Sequence, residues 1–214
     1  ATQLLADQGA DVVIVEDRRG DTNRAMGRGA HPELSGVSMN LLRNKRSVGL
    51  DIKAEAGRAV LGKLVAVSDV VVTNLRPGSR RRAGLTFADL QHFRSDLILC
   101  AAAGYPVDSD LADAPAYDDV IQAATGIVDL HQRVGLEPVL SPTLIADKTA
   151  GLVIANVVLA ALVHRLRTGE GSDITVAMTE VMRAYLLVEH GADAIPEPAI
   201  GEPGYARILN AGRR

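Results

Sequence analysis

The sequence predicts an α/β fold: a Rossmann-like, doubly wound parallel sheet with helices on both faces. Three observations carry this. Short β-branched runs alternate with longer segments of helical spacing along the whole chain. The short runs are apolar on both faces, as strands are in a parallel sheet covered from two sides. Hydrophobic residues make up 47% of the 214, aromatic residues only 3%, and Trp is absent. The interior is therefore built from Ala, Val, Leu and Ile, which suits helices layered on a sheet.

The elements follow in order. "ATQLLADQGA" (1–10) reads as a helix with Leu4 and Leu5 on one face, ending at Gly9. "DVVIVE" (11–16) is a buried strand. The polar, Gly-rich stretch 17–40 is a long loop, and long loops in compact domains usually carry function. "RSVGLDI" (46–52) is a short strand, and 53–68 is a helix with Ala59, Leu61, Leu64 and Val65 inward. "DVVVTN" (69–74) is the next strand, and a turn with a short helical segment follows in "LRPGSRRRAG". Thr86 and Asp89 form a capping box at the start of "TFADL". "DLILCAAAG" (96–104) is a strand, and Cys100 inside it reads as a small buried hydrophobe rather than a nucleophile. "AYDDVIQAATGIVDL" (116–130) is helical, and a long helix runs from about Asp147 to about Arg167. "SDITVAM" (172–178) is a strand and 179–195 a final helix. Residues 1–192 form the domain, and the Pro-rich 193–214 reads as a linker leaving it. The chain opens on a helix with no strand before it, so a fragment is expected.

Composition excludes several classes. A net charge of -3 argues against a general nucleic-acid binder. One cysteine builds no disulfide framework and no zinc site, and the five His show no metal spacing. The expectation is therefore no metal and a reducing, cytoplasmic setting. The longest apolar stretch, 150–163, is shorter than the ~20 residues a bilayer requires, so no membrane span is expected. Dinucleotide, triphosphate and nucleophile-elbow fingerprints are missing. Carboxylates and clustered basic residues near strand ends remain. Asp147 stands directly ahead of a long apolar run. It reads either as a plain N-cap contributing about 1 kcal/mol or as a carboxylate placed for chemistry. Free N–H groups and the helix dipole favour its anionic form in both cases.

Five stretches, in order, resemble the class III CoA-transferases: "QLLADQGADVVIVEDRRGD", "RNKRSVGLDIK", "SDVVVTNLRPGSRRRAGL", "AYDDVIQAATG" and "IADKTAGLVIANVVLAALVHRLRTGEG". That family includes formyl-CoA transferase, carnitine CoA-transferase and α-methylacyl-CoA racemase. The resemblance implies a Rossmann-like large domain whose opening strand and companion small domain are absent here, and a homodimer of interlocked subunits in the full-length form. It implies acyl-CoA and a carboxylic acid as substrates, coenzyme A being the group carried. Asp147 in "SPTLIADKTAG" occupies the place of the family's nucleophile, which forms a mixed anhydride and then an aspartyl-CoA thioester. Asn74 and Arg82 lie where the family contacts CoA. Arg18 after a strand end, and Lys45 and Arg46 in the "RNKRS" loop, are further CoA-binding candidates. Tyr117 stands where the racemase branch has a His, so two-base proton exchange lacks a partner. Tyr117 and Asp118 match the Tyr and acid of some transferases and are auxiliary candidates. The resemblance thus implies CoA transfer; the alternatives are an acyl-CoA racemase or epimerase and a non-catalytic CoA-binding fragment.

Overall fold

The structure, a computed structural model, describes residues 1–29, 31, 34–201 and 204. Its elements in order are α1 (Thr2–Asp7), β1 (Val12–Glu16), a 3-10 turn (Thr22–Ala25), α2 (Gly36–Leu41), β2 (Lys45–Gly49), α3 (Glu55–Ala66), β3 (Val70–Thr73), α4 (Pro77–Arg82) and α5 (Phe87–Gln91). Then come β4 (Ile98–Ala103), α6 (Asp118–Ala124), α7 (Ile127–Arg133), α8 (Ile145–Thr168), β5 (Ser172–Ala177), α9 (Met178–Tyr185), α10 (Leu187–Gly191) and a second 3-10 turn (Ala192–Ala194). The α/β prediction holds, with parallel strands flanked by helices. The strands form two ladders, β1-β2 and β3-β4-β5. β1 and β2 run parallel with Val12 opposite Lys45 and Glu16 opposite Gly49. β3 and β4 run parallel with Val70 opposite Ile98 and Thr73 opposite Ala101.

The chain divides into two compact units, Ala1–Ala101 with Gly151–Ile174, and Ala102–Ala150 with Thr175–Arg214. Unit 1 is centred on Val65, Leu90, Leu97 and Leu99, with Leu61, Val71, Leu85 and Phe87 packed around them. The capping box at Thr86 and Asp89 forms as predicted, fixing the start of α5 so that Leu90 points inward. In the same unit, Arg165 of α8 donates to the Asp69 carboxylate at 2.8 Å and to its carbonyl at 3.1 Å. Unit 2 is centred on Ile121, Ile127, Ala146, Ala150, Met178, Met182 and Leu186, contributed by α6, α7, the start of α8, α9 and the residue that joins α9 to α10.

Several boundaries differ from the sequence reading. The stretch 17–40 is not wholly loop: it holds the first 3-10 turn and α2, whose N-cap Ser35 accepts from the Ser38 N–H at 3.0 Å. The helical segment 116–130 is broken between α6 and α7 at Gly126, where φ is 84° and a Cβ would stand 2.7 Å from the His190 ring. The final helix is two helices, α9 and α10. Met178 belongs to α9 rather than to the strand, and the Thr179 N–H and Oγ1 both donate to the Gly104 carbonyl at 3.1 Å. α8 begins at Ile145, two residues before Asp147. With 24 residues it is longer than expected, and by length and composition alone it could cross a membrane. Ile154, Val158 and Ala161 are nonetheless buried on its inner face, while Leu152, Leu159, Val163 and Leu166 are exposed. Most of the stretch read as a linker, residues 202, 203 and 205–214, lies outside the described residues.

Candidate functional site

Unit 2 holds Asp147, Tyr117 and Asp118. Asp147 is the third residue of α8, in its first turn, so it is not the N-cap. The capping group comes from elsewhere. Asp118, at the start of α6 and only 4% exposed, accepts the Asp147 backbone N–H on Oδ1 at 2.9 Å. An N–H that the helix leaves unpaired is thus satisfied by a buried carboxylate from 29 residues upstream. Asp118 Oδ2 accepts from Gln122 Nε2 at 2.5 Å, one helical turn along α6. Gln122 is fully buried. Its Nε2 also reaches the Thr143 carbonyl at 3.3 Å, and its Oε1 accepts the Ser141 N–H at 2.8 Å. The Thr143 carbonyl takes the Ile145 N–H at 2.8 Å, and Lys148 Nζ donates to Thr143 Oγ1 at 2.6 Å. The loop entering α8 is therefore held from both sides.

Asp147 itself is exposed. Partial burial, and then the nearby Asp118 carboxylate, push its pKa above the ordinary carboxylate value. The favourable helix end anticipated from sequence is outweighed by these two effects. A carboxylate with a raised pKa is a more basic and more nucleophilic oxygen, and this one is open to an incoming molecule. Tyr117 is the N-cap of α6, makes no side-chain cap bond, and is 72% exposed. A groove of about 240 Å³, lined by apolar Ile127, Leu130 and Leu186 together with polar His131, Arg133 and Glu189, lies in the same unit.

Unit 1 holds the basic candidates. Arg18 is exposed in the turn after β1. That turn is held by Glu16, the last residue of β1. The Glu16 carboxylate accepts from Arg24 Nε and Nη2, both at 2.7 Å, from Ser47 Oγ and from the Asp21 N–H. Asn74 is exposed immediately beyond the carboxyl end of β3, where ligands of such sheets bind. Arg82 ends α4, exposed, with Nη2 donating to Ser79 Oγ at 3.0 Å. Arg80 is turned inward, with Nε and Nη1 buried and without hydrogen-bond partners among the described residues.

Lys45 and Arg46 lie in β2 rather than in a loop. They pair with Val12 and Val13, at the amino end of the β1-β2 ladder. Arg18 follows the carboxyl end, about four residue steps or ~13 Å away along the strand. Arg46 is ion-paired to Asp11 at 2.6 Å, and Lys45 Nζ donates to Thr2 Oγ1 at 2.9 Å. Burial holds the Lys45 pKa below its ordinary value. The structure therefore does not bring these two together with Arg18. Lys53, which sequence reasoning passed over, follows β2 and acts electrostatically on Asp17 beside Arg18. The parallel register would have pointed to it. Gln122 and Glu16 were passed over as well, because each works through partners distant in sequence. Among the described residues, no three His, Cys, Asp or Glu side chains gather to hold a metal.

The fold agrees with the outcome of comparison with known proteins. The CoA-transferase family III profile matches residues 1–207, and the chain belongs to that family. The succinate–glutarate CoA-transferase of Agrobacterium fabrum is 32% identical over 193 residues, 87% of this chain and 48% of that protein. The formyl-CoA:oxalate CoA-transferase of Escherichia coli O6:H1 is 32% identical over 183 residues, 85% of this chain and 44% of that protein. Among solved structures, a CAIB/BAIF family protein from Brucella suis superposes with TM-score 0.84 at 32% identity, over 94% of this chain and 54% of that one. Rv3272 from M. tuberculosis gives 0.77 at 30% identity, over 87% and 52%. The chain thus spans about half the length of the relatives it matches.

Proposed function

We propose that the protein carrying this chain transfers coenzyme A between small carboxylic acids through Asp147. The observation that carries the reading is the placement of Asp147: an accessible carboxylate of raised basicity on the first turn of α8, its backbone tethered to buried Asp118. An Asp147 oxygen adds to the thioester carbonyl, the C–S bond breaks, and CoA leaves as the thiolate. The thiolate then attacks the aspartyl carbonyl, the donor acid leaves as its carboxylate, and Asp147 holds CoA as a thioester. An acceptor carboxylate takes CoA by the reverse steps. Covalent storage keeps the thioester's free energy from being lost to hydrolysis. The names of the two relatives, both transferases acting on small acids, support the substrate class. For unit 1 we propose that Arg18, Asn74 and Arg82 contact the CoA nucleotide, as exposed groups beyond the carboxyl ends of β1 and β3 and on α4. Lys45 and Arg46 are less suited, because each already has a partner at the opposite end of its ladder.

The test is trapping. Incubation with an acyl-CoA and hydroxylamine should leave a hydroxamate on Asp147, located by peptide mass spectrometry, and Asp147→Asn should leave none. Deuterium uptake from solvent at the substrate α-carbon, without a hydroxamate, would replace this reading with racemisation. CoA binding with neither product would reduce the chain to a binding role. A homodimer is part of the proposal, supported by the exposed Leu152, Leu159, Val163 and Leu166 of α8; a monomer in sedimentation equilibrium would refute it. A reducing, cytoplasmic setting is proposed from the single cysteine, Cys100, whose thiol burial pushes up to about 11; cell fractionation decides it.

A further inference from the structure

The motif "AYDDVIQAATG" contains a residue that the transfer chemistry leaves unused. Gln122 lies on α6, fully buried, and cannot touch a substrate. A buried primary amide must find partners for two N–H donors and a carbonyl, or it destabilises the fold. Gln122 finds them in two places. Its Nε2 donates to Asp118 Oδ2 at 2.5 Å and to the Thr143 carbonyl at 3.3 Å. Its Oε1 accepts from the Ser141 N–H at 2.8 Å. The partners fix the amide's orientation: a flip would set Nε2 against the Ser141 N–H and Oε1 against the Asp118 carboxylate and the Thr143 carbonyl. The opposite oxygen of Asp118 holds the Asp147 N–H at 2.9 Å. A continuous chain of bonds thus runs from the loop that enters α8, through Gln122 and Asp118, to the backbone of Asp147.

We propose that Gln122 is a positioning residue for Asp147: it orients the Asp118 carboxylate that caps α8 and ties the 141–143 loop to α6, so setting where the Asp147 side chain stands when it attacks. This rests on the reading of Asp147 as the nucleophile. A Leu or Met of similar volume would fill the same core space. Only an amide supplies two donors and an acceptor in the directions that Asp118, Thr143 and Ser141 require. Removing it frees Asp118 to rotate and releases the start of α8, and a displacement of about 1 Å at a reacting atom costs about 10²-fold in rate.

The experiment uses Gln122→Met in the protein that carries this chain, with hydroxamate formation at Asp147 followed in single turnover. The expected result is a fall of about 10²-fold in the rate of adduct formation, with KM for acyl-CoA within about threefold of wild type, because Gln122 makes no contact a bound ligand could share. Gln122→Glu keeps an acceptor for Ser141 and, when protonated, a donor for Asp118, so it should recover part of the rate. Mere loss of stability would not produce that pattern, since the rate is counted per folded molecule. If Gln122→Met does not fold, Gln122→Asn replaces it. It retains the amide but is one methylene too short to bridge Asp118 and Ser141, and the same directional loss is expected. A folded Gln122→Met or Gln122→Asn protein that forms the adduct at the wild-type rate overturns the proposal. A wild-type protein that forms no adduct overturns instead the nucleophile reading on which it rests.

Discussion

Glu16 allows the forces that hold the Arg18 turn to be measured. Its side chain is almost completely buried at the end of β1. The hydrogen bonds from Arg24, opposed by burial and reinforced by Ser47 and the Asp21 N–H, lower its pKa from 4.5 to about 2. A carboxyl pKa lowered on folding means that the unfolded chain holds the proton more tightly. Glu16 therefore stabilises the fold above about pH 4.5, and that stabilisation is lost as pH falls through about 2. At about 1.36 kcal/mol per unit the shift corresponds to roughly 3 kcal/mol. Arg24 is 26% exposed, so water screens the pair and about 2 kcal/mol is the expected figure. Glu16→Gln keeps the shape and removes the charge. It should lower stability at neutral pH by about 2 kcal/mol and Tm by about 4–8 °C for a chain of this length. Urea unfolding followed by circular dichroism, repeated from neutral pH to about pH 2.5, makes the comparison. The gap between wild type and variant should narrow as the acid limit is approached, because both proteins then lack the charge. A gap of constant width across that range would show that the number of hydrogen-bond acceptors rather than charge holds the turn. No gap at neutral pH would show that Glu16 does not hold it.

Three further outcomes follow from the same geometry. The raised pKa of Asp147 means the folded state binds its proton more tightly than the unfolded chain, so its ionisation weakens the fold as pH rises through that pKa. Asp147→Asn should therefore melt at a higher temperature than wild type at neutral pH while forming no adduct, and an unchanged or lower Tm would count against the electrostatics. Asp118→Asn leaves one buried donor facing another whichever way the two amides turn, because the Asp147 N–H, Gln122 and Ser141 require more acceptors than remain. In an Asp147→Asn background, where no repulsion is left to relieve, calorimetry should show a loss of about 1–3 kcal/mol. Gly126→Ala forces a Cβ to within 2.7 Å of the His190 ring at a φ of 84°; a Gly→Ala change at a compatible site stabilises by about 0.4–1 kcal/mol, but here urea unfolding should show a loss of more than about 1 kcal/mol.

Much of the fold was legible because its causes are local. Short apolar runs bounded by turn or charged residues read as strands, and β1, β3, β4 and β5 lie within two residues of the ends so expected. The capping box of Thr86 and Asp89 spans three residues and needs no other part of the chain. The order of motifs was enough to place the chain in its family. The features that went unread are those in which the partner is distant. The break at Gly126 is invisible in the apolar pattern of 116–130, since its companion His190 lies 65 residues beyond Thr125, to whose carbonyl it bonds. α8 starts two residues ahead of the point its sequence suggests, because its cap is not a neighbour but Asp118.

The sequence by itself determined the places of most strands and of the longer helices, which carboxylate stands at the head of the long helix, and to what family the chain belongs. Only the tertiary structure decided that Lys45 and Arg46 sit at the opposite end of their ladder from Arg18, because parallel register is set by pairing between strands. It alone decided that Asp118 and Gln122 hold the backbone of Asp147. Periodicity records which face of a segment is buried, whereas a hydrogen bond between buried groups records where two segments meet, and that second fact is written in no single stretch of the chain.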